Sequence, residues 1–430
     1  MNSTKLLQQL QSGACDQNLA ELYALGGGWA GLDRGKRRAI HVVETFQRRF
    51  GQAEQAILVS GPGRTELGGN HTDHQHGHVL CGSIDLDMLA CAAPNGNRFI
   101  RIYSESFPEL EVDLADLTPR PEEHNRSEAL ARGVAAGVSR LGYPVSGFDA
   151  CVVSDVRPGS GLSSSAAYEV LLGNIMNQFC CQGTLDPVQI AKIGQYAENV
   201  YFGKPCGLMD QMGASLGGAV AIDFENPQLP RIQRVNYDFS ASGYALCIVD
   251  TGSYHADLTD DYAEITGEMR AVAGCFGKQV LRQVPEEQFW CHLAQLRPHC
   301  GDRGLLRGMH FYNEERRVLA ETQALDRGDF EAFLGQVRAS GVSSALYLQN
   351  IWSVSAPKQQ PVSLALALGE RLLGGRGAVR VHGGGFAGTI QAFVPWEILG
   401  EFQREMEAFL GKGTCHVLQI RPRGGCVVLA

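Results

Sequence analysis

The run Pro158-Gly-Ser-Gly-Leu-Ser-Ser-Ser-Ala-Ala167 limits what this chain can fold into more than any other stretch. Before it, Phe148 to Val156 is short, apolar and rich in β-branched residues, which predicts a strand; after it, Tyr168 to Phe179 carries apolar residues at helical spacing. A turn from strand to helix needs glycine where the backbone bends tightly, and it leaves the first N–H groups of the helix unpaired beside three serines. Those N–H groups, the hydroxyls and the positive end of the helix dipole make an anion site suited to phosphate, while the same residues also suit a capped helix after an ordinary turn. The two commonest phosphate loops are excluded. No Gly-Lys precedes a Ser or Thr in this run, and Ser164 stands where a dinucleotide loop carries its third glycine.

The run resembles the second motif of the superfamily of galactokinase, homoserine kinase, mevalonate kinase and phosphomevalonate kinase, Pro-x-x-x-Gly-Leu-Ser-Ser-Ser-Ala, which wraps ATP phosphates. The resemblance implies that Gly159, Ser160, Gly161, Leu162, Ser163 and Ser164 cradle the phosphates and that Ser165 is a Mg²⁺ ligand. It also requires two flanking motifs.

Upstream, Ala56 to Ser60 reads as a strand feeding Gly61-Pro-Gly-Arg-Thr-Glu-Leu-Gly-Gly-Asn-His-Thr-Asp-His-Gln-His-Gly-His-Val-Leu80. Polar residues of many kinds among glycines predict a loop that holds side chains for contact. Arg64 offers a planar, permanently charged fork for phosphate, or else a surface ion pair, and Asp73 can accept two hydroxyl hydrogen bonds. His71, His74, His76 and His78 invite a metal reading, but no cysteine set accompanies them, and hydrogen-bonding histidines are the alternative. The segment is similar to the galactokinase signature Gly-Arg-x-Asn-Leu-Ile-Gly-Glu-His-Thr-Asp-Tyr, in which the arginine lies beside the transferred phosphate and the glutamate, histidine and aspartate hold hexose hydroxyls. Those positions are Arg64, Asn70, His71 and Asp73 here. Asn70 keeps hydrogen-bonding capacity but not the glutamate's charge, at the end of the site that would meet the sugar 6-hydroxyl. The signature's asparagine, isoleucine and tyrosine are Glu66, Gly68 and His74.

Downstream, Pro205-Cys-Gly-Leu-Met-Asp-Gln211 resembles the galactokinase Pro-Cys-Gly-Ile-Met-Asp-Gln, which implies that Asp210 faces the anomeric hydroxyl. An aspartate held near a cation can take the hydroxyl proton or orient and polarise the group. A hard cation bridging phosphates needs oxygen ligands, usually a carboxylate besides the hydroxyl. Glu198, in an Ala-Glu-Asn run similar to the family's, is the candidate, with a solvated helix glutamate as the alternative. Tyr262 ends a segment resembling one that closes on a sugar-contacting tyrosine, or is a core tyrosine. Gly383-Gly-Gly-Phe-Ala-Gly388, between predicted strands Ala378 to His382 and Thr389 to Val394, resembles the third superfamily motif, which closes against the phosphate loop. Ser340-Gly-Val-Ser-Ser344 stands where such families show Ser-His-x-Ser-Leu.

With 430 residues, 44% hydrophobic and 19% charged, the chain is long enough for two domains. We expect a helical extension over 1–50, with a break at Gly26 to Gly28, an N-terminal domain over 51–230 and a C-terminal domain over 231–430, divided near Pro227 and Pro230. The resemblance implies an α+β fold: a mixed-sheet domain beside a ferredoxin-like layer, with the active site in the cleft between them. A net charge of −9 without a basic block gives no general attraction to nucleic acid or an anionic membrane. Thirteen dispersed cysteines without a Cys-x-x-Cys pair suit small buried residues in a reducing compartment. No signal-like or membrane-spanning run is present, so a cytoplasmic protein, monomer or weak homodimer, is expected. The resemblance implies an ATP- and Mg²⁺-dependent kinase of the galactose anomeric hydroxyl; a kinase of a related sugar such as galacturonate, or a sugar sensor without turnover, are the alternatives.

Overall fold

The computed structural model describes residues 1–25, 29–105, 107–157, 159–252 and 259–430. Three helices open the chain, α1 (Ser3–Ser12), α2 (Asp16–Tyr23) and α3 (Trp29–Phe50), and Asn2 caps the first by accepting the Lys5 N–H. The expected break at Gly26 to Gly28 lies outside the described residues. Leu6, Leu10, Leu22, Val42 and Phe46 are buried with Leu58, Leu89 and Cys91 of the first sheet, so the extension shares a core with one sheet face.

That sheet contains β1 (Ile57–Gly68), β2 (His78–Pro94), β3 (Phe99–Ser104), β4 (Phe107–Asp113), β5 (Phe148–Ser154), β6 (Ala219–Asp223) and β7 (Arg231–Val235). From β1 the order runs β1-β2-β5-β3-β4, with β6 on the first part of β2 and β7 beyond it; β3 and β5 are parallel and the other pairs antiparallel. Alternation along each strand sends Ile57, Val59, Ala90 and Ala92 to the opposite face. There they meet residues of α4 (Ser127–Arg140), α5 (Ser164–Cys180) and α6 (Pro187–Tyr196); α7 (Met209–Leu216) packs beside β1 and β2.

Strand β1 corrects one expectation. The polar stretch from Gly61 to Gly68 is not a loop but the second half of β1, bulged near Pro62 and Leu67 and buried along its length. Its polar side chains are tolerated there because each finds a partner on a covering element: Arg64 on Asp210, Thr65 on His382 and Gln391, Glu66 on Arg380. Those last partners belong to a second sheet.

The second sheet consists of β8 (Tyr244–Asp250), β9 (Ala378–His382), β10 (Thr389–Pro395) and β11 (Cys415–Leu418), antiparallel in the order β11-β8-β10-β9. Between β8 and β9 lie α8 (Thr259–Gly274), α9 (Glu286–Cys291), α10 (Leu293–Asp326), α11 (Phe330–Ser343) and α12 (Pro361–Leu373); α13 (Leu399–Leu410) joins β10 to β11. The last strand, β12 (Cys426–Leu429), returns to the first sheet and pairs antiparallel with β1. The two-domain α+β architecture is the expected one, but sheet membership does not follow a cut at residue 230. That cut falls between paired β6 and β7, and the free edge of β1 is filled from far downstream. Among the described residues no helix is long and apolar enough to cross a membrane.

Beside β12, Asp87 of β2 is fully buried and gathers Tyr23, Arg38, Ser60 and Arg421, with Arg38 at 2.7 Å and Arg421 at 3.1 Å. The hub ties the extension, both central strands and the segment before β12 to one carboxylate. Replacing Asp87 by alanine leaves fully buried Arg421 without its counter-ion, and we expect a loss of about 3–5 kcal/mol in urea unfolding. A loss below about 1 kcal/mol would show that the hub only decorates an already stable core.

Candidate active site

The loop from residue 159 ends at Ser163, held at φ 58°, and α5 begins at Ser164; Pro158 lies outside the described residues. No side chain caps α5, so the hydroxyls point elsewhere than in an ordinary capped helix. Ser163 donates to Asp210, Ser165 donates to Glu198 at 2.9 Å, and Ser160 donates back to the Arg157 carbonyl at 2.6 Å. A side chain at Gly161 would sit 2.1 Å from the Thr389 hydroxyl, so glycine is required where the loop meets the start of β10 after the Gly383–Gly388 turn.

Arg64 binds this loop to α7. Its Nε donates to Asp210 at 2.7 Å and one terminal nitrogen donates to the Gly161 carbonyl at 2.7 Å, while the residue is almost fully buried. Burial works against the Asp210 charge, but Arg64 beside it, helped by Ser163, holds the carboxyl below its ordinary range. Asp210 lies in the first turn of α7, where a negative charge is favoured, and is therefore an anion at neutral pH.

Behind Ser165 lies a cluster of carboxylates, of which Glu198 alone stands in a recognisable sequence motif. Glu198 sits in a π-helical turn, Ala197–Phe202, and is nearly fully buried. Gln211 donates to Glu198 at 2.8 Å and to Glu169 at 3.0 Å. Burial, then the neighbouring Glu198, pushes the Glu169 carboxyl well up, which favours its protonated form. The Lys204 ammonium stands 3.6 Å from Glu198 at the open side. Glu169 was legible in principle, since it lies four residues after Ser165 on one helix face. Lys204 gave no signal beyond its place before Pro205.

The remaining predicted residues gather at the other end. Asp73 reaches beneath residue 207, where a Cβ would lie 1.6 Å from its carboxylate, so only glycine admits it. Burial and then the Asp210 charge push Asp73 up to about 6 despite hydrogen bonds from the His74 and Met209 N–H groups. His71 reaches the Gly384 carbonyl from Nε2 at 2.9 Å; burial lowers it to about 4, so the ring is neutral and Nδ1 accepts from His74. Tyr262 stacks on His71 at 6.4 Å between ring centres and donates to the Gly385 carbonyl at 3.2 Å. Asn70 is placed differently. It is fully buried, donates to Gly383 at 2.6 Å and to Glu66 at 3.1 Å, and accepts from Asn350 at 2.9 Å and Ser344 at 3.2 Å. Its amide capacity is spent inside the protein.

The geometry thus sets a buried cation, an anionic carboxylate and an uncapped helix N-terminus around one point, with hydroxyl-binding groups nearby. Such a site can hold a polyphosphate and present a hydroxyl to it.

Residues 44–94 match the model of the galactokinase galactose-binding signature, and residues 129–218 match that of the N-terminal domain of GHMP kinases. The chain is 31% identical to a galactokinase of Streptomyces coelicolor over 83% of its own length and 88% of that protein's. It is 30% identical to a galactokinase of Glaesserella parasuis over 82% and 88% respectively. Among solved structures, Lactococcus lactis galactokinase complexed with galactose matches with a TM-score of 0.77 at 23% identity, over 89% of this chain and 98% of that one. A mevalonate kinase matches with a TM-score of 0.57 at 15% identity, over 84% and 99%.

The raised Asp73 carboxyl carries a stability cost with a definite sign. Between the unfolded value near 4 and the folded value of about 6, the folded chain keeps a proton that the unfolded chain releases, so stability falls as pH rises through that window. Asp73→Asn removes this titration. Its Tm relative to wild type should rise by about 2–4 °C between about pH 4 and about pH 7 in thermal melts. A difference that does not change with pH would sink the assignment.

Proposed function

Because the chain belongs to the galactokinase family, we propose that it transfers the γ-phosphoryl group of ATP to the anomeric hydroxyl of galactose, giving galactose 1-phosphate. The observation that carries this reading is the Arg64–Asp210 pair set against the loop at Gly161 and Ser163. Phosphoryl transfer needs positioning and charge neutralisation more than covalent help. The N–H groups at the start of α5, with residues 159–165, hold the phosphates, and Arg64 offsets charge beside the group in transit.

Asp210 takes the hydroxyl. A carboxyl held below its ordinary range is a poor base in the ground state, which supports an orienting and polarising role. It accepts the proton as the new P–O bond forms and the hydroxyl becomes acidic. His71, Asp73 and Tyr262 line the sugar end in this reading; with its carboxyl at about 6, Asp73 is mainly ionised at neutral pH and accepts from hydroxyls. Asn70 acts there by holding the 69–74 segment against Gly383 rather than by touching sugar.

The donor set suits Mg²⁺: one hydroxyl, Ser165, already bonded to one buried carboxylate, Glu198, matches a hard cation whose other ligands are phosphate oxygens and water. When bound, the ion would neutralise phosphate charge. The second sheet supports the ferredoxin-like reading, since β8, β9, β10 and β11 are laid out fourth, first, third, second.

Turnover of ATP on a panel of galactose, glucose, N-acetylgalactosamine, galacturonate and arabinose tests the reading. We expect galactose to be preferred, a C1 phosphate in the product by phosphorus NMR, and kcat for Asp210→Asn to fall about 10³-fold. Preference for galacturonate would move the substrate to a C6 acid. Galactose binding without turnover on any sugar would make the chain a sensor.

A further inference from the structure

Among the charged groups around the phosphate loop, Lys204 is held only by a long ion pair. It follows Gly203, which ends the π-helical turn at φ 84°, and the N–H groups of Gly203 and Lys204 both donate to the Glu198 carbonyl, at 3.1 and 3.2 Å. The backbone is therefore pinned, and the start of the side chain is fixed in place. Its ammonium, however, lies 3.6 Å from the Glu198 carboxylate, beyond hydrogen-bond distance, and makes no hydrogen bond to a described residue.

Glu198 does not depend on it. That carboxylate is 2% exposed and already receives Ser165 and Gln211, whereas the Lys204 side chain is 56% exposed. All three ammonium donors are thus free at the mouth of the site.

The other cation is committed. Arg64 is spent on Asp210 and on the Gly161 carbonyl, and residues 159–165 contain no lysine or arginine. With Arg64 paired to Asp210, the phosphate loop brings no free cation of its own to a tetra-anionic substrate. We propose that Lys204 is a catalytic residue whose ammonium leaves Glu198 to hydrogen-bond an oxygen of the γ-phosphoryl group in transit. The inference rests on the kinase reading above.

A γ-phosphoryl contact distinguishes ATP from ADP, which gives a test that needs no sugar. In calorimetric titrations with magnesium present, Lys204→Met should weaken ATP binding about tenfold and ADP binding by less than about twofold, the loss of one charge-assisted hydrogen bond. In turnover, kcat should fall about 10²-fold with the galactose KM nearly unchanged, and Lys204→Arg should restore most of both losses. Equal loss for ATP and ADP, no loss for either, or no rescue by arginine would overturn the proposal. Should wild type bind both nucleotides, show the ATP-specific loss in Lys204→Met and yet phosphorylate no sugar, the sugar reading fails while the Lys204 contact stands.

Discussion

Glu66 and Arg380 meet 2.9 Å apart where the two sheets meet, and neither could be buried without the other. Burial still pushes Glu66 up to about 7, opposed chiefly by Arg380, so the pair is held under electrostatic tension rather than at rest. Around it Gln391 donates to Thr65 and to the Glu66 carbonyl, and Arg380 also binds Ser340. From Glu66 the network passes to Asn70 and then to Gly383, the first residue of the turn that His71 and Tyr262 touch. The shape of the sugar end follows from how these charges are satisfied. A partly satisfied polar network is costly, so these bonds favour the placement of β1 on β9 in which each group has its partner.

This pair also accounts for the departure from the galactokinase signature. The signature's asparagine position holds Glu66 and its glutamate position holds Asn70, and the two side chains are hydrogen-bonded. Carboxylate and amide have exchanged places in the signature, and in this chain the two contact each other with the carboxylate on Arg380. Neither substitution is intelligible alone. Gly341, at the family's histidine position in the Ser340–Ser344 run, likewise fits a local demand, since a Cβ there already lies 3.0 Å from Arg380.

Much of the site's make-up was readable because each part lies in a short contiguous motif: the strand-loop-helix turn with Ser165, and the runs that carry Arg64, Glu198 and Asp210. What was not readable depends on distant partners. The polar half of β1 reads as a loop until the second sheet supplies counter-groups, and Lys204 is ordinary until the π-helical turn brings it over Glu198. The histidine-rich stretch admits a metal or hydrogen-bonding histidines. Gln75, His74, His71 and the Gly384 carbonyl form a single hydrogen-bonded chain in which both rings are neutral. Spacing alone cannot separate those two uses of imidazole.

The return of β12 to the first sheet gives the order of synthesis a physical meaning. Arg421 and Asp87 are separated by 334 positions, and the edge of β1 has no neighbour on that side until β12 is made. While the ribosome produces the whole second sheet, the nascent first domain carries an unpaired strand edge and a carboxylate that has Arg38 but not yet Arg421. Until β12 pairs with it, the edge of β1 can pair with another chain, and closing that edge is left to the last strand of the sequence.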